Sequence, residues 1–245
     1  MKRRCLYCGM RLKGKEINSH IFEAHHGKGA EFFCREDCVR CCTDVGAPLE
    51  LVIGDIERIA RALGLTSEAF FKRYAGILWS SIPGTRTFIP SIGLPFPCRF
   101  LKDDKCTIYE IRPLHCRLFP ERLYIDPSPE VFEPFHRAGY NCIDEGFLLS
   151  EERKEEVKRL MDEDQKELVR TAEFFQNEDF IYELTPSQYE EAQRAFMALS
   201  PDDPERNRKK RETIDALMPP GVKEEVMKAF LARLKELDRE SKDYV

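Results

Sequence analysis

The sequence predicts a mainly helical α+β protein with a small irregular and β region stapled by metal. Three observations lead there. Apolar residues recur at helical spacing through residues 146–245, which hold no cysteine and no histidine. Ten of the fifteen prolines fall in residues 31–145, where long helices are forbidden. Ten cysteines precede the helical part, spaced like ligands. The expected division is a C2H2-like zinc finger over 1–30, an eight-cysteine metal-binding domain over 31–145 and a helical domain over 146–245.

In the helical part, Ser150 can cap a helix opened by Glu151 and Glu152, whose charge suits the N-terminal dipole. Val157, Leu160, Met161, Leu168, Ala172 and Phe175 then share a stripe. A second helix opens at Thr185-Pro186, with Gln188 at the capping-box position and Tyr189, Ala192 and Phe196 facing inward. A third follows Pro219-Pro220-Gly221 and aligns Val222, Val226, Phe230, Leu234 and Leu237. Another fits between Ser200 and Leu217. Its run Arg206–Arg211 adjoins Asp202, Asp203 and Glu205, so it reads as a solvated face and not a phosphate site. The stripes read as core packing.

In the middle part, Asp55–Leu63 forms a short amphipathic helix stopped by Gly64, and Thr66 caps another running to Tyr74. From Pro83 to Pro134 the pattern predicts short strands and turns. Such a segment buries little apolar surface alone, and metal coordination by its cysteines is the natural staple.

Bulk composition narrows the function. Charged residues make up 34% but the net charge is −5, so no strong field draws the molecule to nucleic acid or acidic lipid. The opening Met-Lys-Arg-Arg-Cys precedes no apolar run, and no stretch approaches the roughly 18 apolar residues of a membrane span. The expectation is a cytoplasmic protein without membrane contact, whose closely spaced cysteines bind metal instead of forming disulfides.

Cys5-x2-Cys8, followed by His20 and His25, approximates the zinc spacing of two cysteines and two histidines. His25 suits the spacing better than the adjacent His26. Leu12 and Ile17 stand where such fingers place their small core. Residues 1–33 carry seven Lys/Arg against three Asp/Glu. One finger spans only about three base pairs, so specific nucleic-acid binding is not expected of it alone.

Cys34-x3-Cys38-x2-Cys41-Cys42 is the densest chemistry, joined later by Cys98, Cys106, Cys116 and Cys142. Adjacent side chains such as those of Cys41 and Cys42 project in different directions, which hints at two centres or one polynuclear centre. Eight thiolates suit two Zn(2+) sites, or one iron–sulfur cluster beside a zinc. Soft sulfur excludes magnesium and calcium as the preferred ions. Arg112 and Arg117 are placed to offset the negative charge of a thiolate centre. His115 and His136 stay unassigned. The Cys-x3-Cys-x2-Cys spacing is also that of radical-SAM enzymes. The alternating strands and helices of that fold are absent, Arg40 replaces the usual aromatic, and Cys42 could close the open iron site.

Several stretches together resemble the YkgJ-type cysteine-cluster family, described as a zinc- or iron-chelating domain. They are Phe33-Cys34…Cys38…Cys41-Cys42, DIERIA (Asp55–Ala60), PCRFL (Pro97–Leu101), CTIYEIRPLHCRLFP (Cys106–Pro120) and Cys142. The most specific run holds Cys106, Tyr109, Arg112, Pro113, Cys116, Arg117, Phe119 and Pro120 in place. The family's usual first spacing is Cys-x2-Cys, where this chain has Cys34-x3-Cys38. Flagellin lysine N-methylases belong to the family, so the resemblance implies that an iron–sulfur-dependent protein lysine N-methyltransferase, acting on a protein substrate, is an alternative to a metal-binding module of unassigned role. A nucleic-acid or protein adaptor working through the finger is a third reading. The substrate or partner is not encoded in any recognisable motif.

Overall fold

A computed structural model describes residues 2–4, 11–13, 40–43, 49–137, 140, 143, 147–200, 203 and 205–240. The chain forms two compact units, one of residues 1–38 with 118–163, the other of 39–117 with 164–245. Residues of the expected middle and helical blocks therefore share the second unit. The architecture is mixed α+β with helices dominant, as expected. Among the described residues, no helix is long and apolar enough to cross a membrane.

The second unit is built on an antiparallel sheet around β5 (Thr87–Leu94). The strand β4 (Gly76–Ser81) pairs along one edge of it, from Gly76↔Gly93 to Ser81↔Phe88. Two short strands share the other edge: β3 (Leu49–Glu50) opposite Gly93 and Leu94, and β8 (Tyr182–Glu183) opposite Thr87 and Phe88. This explains a proline in a central strand. The Ile92 carbonyl accepts from Leu51 and the Arg86 carbonyl from Leu184, so even-numbered residues of this strand turn their polar groups to the β3/β8 edge. Pro90, which lacks an N–H, therefore faces the gap between those two strands. Gly93 is needed for a different reason. A Cβ there would meet the Leu78 side chain and the Leu49 carbonyl, because strands approach it from both edges.

Two helices precede β4. The first, α2 (Ile53–Ala62), starts two residues before the expected Asp55 and buries Ile53, Asp55, Ile56, Ile59 and Ala60. Gly64, at φ +66, ends it as anticipated. Thr66 caps α3 (Ser67–Tyr74) by accepting the Ala69 N–H at 3.1 Å. The C-terminal helices are α7 (Pro186–Met197), α8 (Arg206–Leu217) and α9 (Val222–Glu240). Thr185 and Gln188 form the predicted capping box. Along α9, Val222, Val226, Phe230 and Leu234 are buried at the predicted spacing, and Leu237 packs beside them. Phe230 stacks on Phe175 at 4.3 Å inside a core with Ile56, Ile59, Phe70, Phe71, Ile92 and Leu94. Each such fully buried side chain contributes about 1.5–3 kcal/mol. In the basic run of α8, Arg208 pairs with Glu205 and Glu212, and Lys209 with Asp203.

Helix α6 (Glu151–Phe175) departs in part from its predicted stripe. Ser150 caps it through the Arg153 N–H, and Val157 and Phe175 are buried, but Met161 is exposed. The buried positions between are polar, Asp164 and Thr171. A search for apolar periodicity passes over such residues. Thr171 accepts the Ile53 N–H at 2.8 Å and Glu167 the Gly54 N–H at 3.1 Å, capping α2, whose own N-cap Val52 has no polar side chain. Asp238 of α9 does the same for α3, accepting from Ser67 at 2.8 Å and Glu68 at 3.1 Å.

The first unit holds a ribbon of β1 (Lys2–Arg4) and β2 (Arg11–Lys13), paired Lys2↔Lys13 to Arg4↔Arg11. It also holds α5 (Pro129–Arg137), a nine-residue helix where only strands and turns were expected. Its proline stands at the first position, where no N–H is needed. Tyr124, Phe132 and Phe147 form an aromatic core there, with Tyr124 centroids 5.3 and 5.0 Å from the other two. Beside it, Arg153 grips the buried Glu121 through two bonds of 2.9 and 2.5 Å.

Candidate metal centre

Five cysteines of the second unit come from four separate stretches of chain. Cys41 and Cys42 lie on α1 (Arg40–Thr43). Cys98 follows the central strand β5, Cys106 ends β7 (Lys105–Cys106), and Cys116 sits on α4 (Leu114–Leu118). All five are thiols and not disulfides.

Local structure explains their gathering. The Cys98 N–H donates to the Cys42 carbonyl at 2.8 Å, tying the second stretch to the first. After Cys98 the chain forms a tight hairpin, β6 (Leu101–Lys102) against β7, with Leu101 opposite Cys106. Its turn residues Asp103 and Asp104 have φ of 49 and 57, the left-handed pair that a two-residue hairpin of matching twist requires. The Thr107 N–H and hydroxyl both donate to the Phe100 carbonyl, at 2.8 and 3.0 Å. Cys106 is thereby folded back toward Cys98. Phe100 and Ile108 anchor the hairpin in the core, with Phe100 stacked on Tyr74 at 4.6 Å.

The electrostatics of the cluster follow from this crowding. The Cys42 thiol faces the Cys98 sulfur, and the nearby backbone N–H groups of Phe100 and Leu101 favour the Cys98 thiolate; the Leu101 N–H itself is bonded to the Cys98 carbonyl at 3.0 Å. The thiol and those N–H groups outweigh burial and pull Cys98 down to about 7. Cys42 is pushed up, by its interaction with the Cys98 sulfur first, then by burial and by the charges of Cys98, Cys41 and Cys116. Burial raises Cys106 and Cys116, each further raised by Cys98; the Ile108 N–H and Arg112 offset this at Cys106, and Arg112 at Cys116. Five thiols so placed resist ionising together. A bound cation removes that repulsion and holds them as thiolates.

Backbone N–H groups near sulfur, soft donors in mutual range and an arginine nearby fit a thiophilic metal. The sulfurs are gathered but not closed into a coordination shell: among the described residues, no three Cys, His, Asp or Glu side chains converge enough to hold an ion.

Of the predicted supporting residues, Arg112 is half-buried and stabilises the charged forms of Cys106 and Cys116. Its Nε donates to the Tyr109 carbonyl at 3.0 Å, and its guanidinium lies 3.8 Å from the Tyr109 ring centroid. Arg117, one residue beyond Cys116, is exposed. His115 is held in a structural role, with Nδ1 bonded to the Glu50 carbonyl at 2.9 Å and Nε2 3.2 Å from Asp164. His136 Nε2 bonds the Ile143 carbonyl at 3.2 Å. Cys34, Cys38 and Cys142, and the finger residues Cys5, Cys8, His20 and His25, lie outside the described residues.

Sequence reasoning gave no role to Asp55 and Arg58. Asp55 is 3% exposed and accepts the Leu114 N–H on both oxygens, at 3.0 and 3.2 Å. Arg58 bonds Asp55 at 2.6 Å and donates to the carbonyls of Ile111 at 2.7 Å and Arg112 at 2.9 Å. The available signal was an aspartate one turn before Ile59, on the apolar face of its helix.

Residues 33–142 match the CxxCxxCC family model, described as a putative zinc- or iron-chelating domain, the family that the cysteine pattern resembles. No curated protein and no solved structure matches the chain.

Proposed function

With residues 33–142 a zinc- or iron-chelating domain of that family, we propose that the chain is a metal-binding protein whose centre is built from the thiolates of Cys41, Cys42, Cys98, Cys106 and Cys116. Cys34, Cys38 and Cys142, the other cysteines of the array, are proposed as metal ligands as well. The observation that carries this reading is the gathering of five thiols from four stretches of chain, with the Cys98 N–H bonded to the Cys42 carbonyl at 2.8 Å and the Leu101–Cys106 pairing folding Cys106 back toward Cys98. Soft sulfur donors so gathered suit a thiophilic metal. When bound, the metal supplies the positive charge that lets these thiols ionise together. The protein's own residues then hold it: the hairpin turn sets Cys98 against Cys106, α4 presents Cys116, and Arg112 offsets the remaining negative charge. Free thiols also suit a reducing compartment, the cytoplasm.

The ion is zinc or the iron of an iron–sulfur cluster. Anaerobic purification followed by metal and sulfide analysis decides between them. Colourless protein with zinc supports the first; brown protein with iron and sulfide supports the second and revives the methyltransferase reading. Protein that binds neither overturns the proposal.

The N-terminal segment is proposed as a separate zinc finger using Cys5, Cys8, His20 and His25. The ribbon of β1 and β2 supports it, since these strands bracket residues 5–10, which carry both cysteines. Loss of one zinc equivalent from a Cys5→Ser, Cys8→Ser protein tests this, and unchanged metal content overturns it.

A further inference from the structure

Helix α4 has five residues, too few to be stable by itself, yet it presents Cys116 to the thiol cluster. Its position is set from outside. The buried Asp55 carboxylate takes the N–H of its first residue, Leu114, on both oxygens. Arg58, almost one turn further along α2, is bonded to Asp55 and reaches the carbonyls of Ile111 and Arg112, the last two residues before Pro113. One acid and one base on α2, whose apolar face lies in the core, thus hold the turn that leads from Cys106 to Cys116. On the following residue, His115 spans Glu50 and Asp164. The thiol-bearing helix buries Leu114 and Leu118, and these polar bonds fix its position further.

We infer that Asp55 and Arg58 are positioning residues for the metal centre: they fix where the Cys116 sulfur stands and orient the backbone of Arg112, whose charge acts on the same thiols. This rests on the metal-binding reading and deepens it. Neither residue touches the metal; each acts through α4.

The molecule contains its own control. Asp238 also caps a helix with both carboxylate oxygens, accepting from Ser67 at 2.8 Å and Glu68 at 3.1 Å, but that helix, α3, carries no cysteine. A merely structural cap predicts that losing either aspartate has the same consequence. A positioning role predicts different ones.

The test uses the full chain, loaded with cobalt(II) in place of the native metal, whose sulfur charge-transfer and ligand-field bands report thiolate geometry. Asp55→Asn and Arg58→Lys are expected to shift those bands and to weaken cobalt affinity roughly ten- to a hundredfold, the usual consequence of losing an outer-sphere support. Asp238→Asn is expected to leave spectrum and affinity as in the wild type while lowering the melting temperature. If Asp55→Asn does not fold, the milder Arg58→Lys decides, because it keeps the charge and loses only the forked reach to two carbonyls. Wild-type spectra and affinity in the folded variants, or equal loss of affinity in Asp238→Asn, overturn the inference and leave the metal reading standing. Where the native centre is an iron–sulfur cluster, the same comparison is read from its visible spectrum and iron content; wild-type protein that holds neither cobalt, zinc nor an iron–sulfur cluster overturns the metal reading itself, and this inference with it.

Discussion

Two regions of the second unit are held in contrasting ways. Residues 222–234 lie on one helix whose inward stripe, Val222, Val226, Phe230 and Leu234, is at most 5% exposed. Residues 95–117 contain three prolines, one two-residue turn and a five-residue helix. Their order comes from Phe100, Ile108 and Leu114 in the core, the clamp of Asp55 and Arg58, and the meeting of Cys98, Cys106 and Cys116. The first region is over-determined by burial. The second has fewer apolar anchors for its length and leans on polar bonds, with metal as the proposed further support. Region by region, stability and function are therefore separable.

The largest effect should come from removing metal. Chelation of the native protein is expected to raise hydrogen exchange across 95–117 to near solvent rates while α9 stays protected. Equal protection with and without metal would erase the contrast. Next, Phe230→Ala should cost about 3–5 kcal/mol, as for other large-to-small changes in a filled core, with metal content per folded molecule unchanged. A parallel loss of metal would join the two regions into one cooperative structure. Replacing Glu121 by Gln in the first unit leaves Arg153 without its buried carboxylate and should destabilise by about 3 kcal/mol in denaturant melts. The smallest change should follow Thr185→Ala, which loses the capping box on α7 at a cost of about 1 kcal/mol, again without touching metal content.

The same contrast decided what could be read from the sequence. Helix signals at Thr66, Ser150 and Thr185 are local, because a cap and the N–H it serves lie within three residues. The stripe of α9 is local for the same reason. The clamp of α4 joins residues 59 positions apart, and the caps of α2 and α3 come from α6 and α9. Nothing in a window of one helix announces these. Asp164 and Thr171 were passed over because they fill buried positions with polar side chains, while Met161, chosen for its apolarity, faces solvent. That Pro90 fits a central strand depends on the gap between β3 and β8, two strands distant in the sequence. At the site, residue type and spacing marked the cysteines as candidate ligands. Their neighbourhood was not legible, since it depends on the hairpin turn at Asp103-Asp104 and on α2 holding α4.

X-ray absorption at the edge of the metal carried by the native protein tests the central claim most directly. A first shell dominated by sulfur is expected, at about 2.3 Å if the metal is zinc. A shell of oxygen and nitrogen alone, or protein that folds with no metal bound, would contradict it.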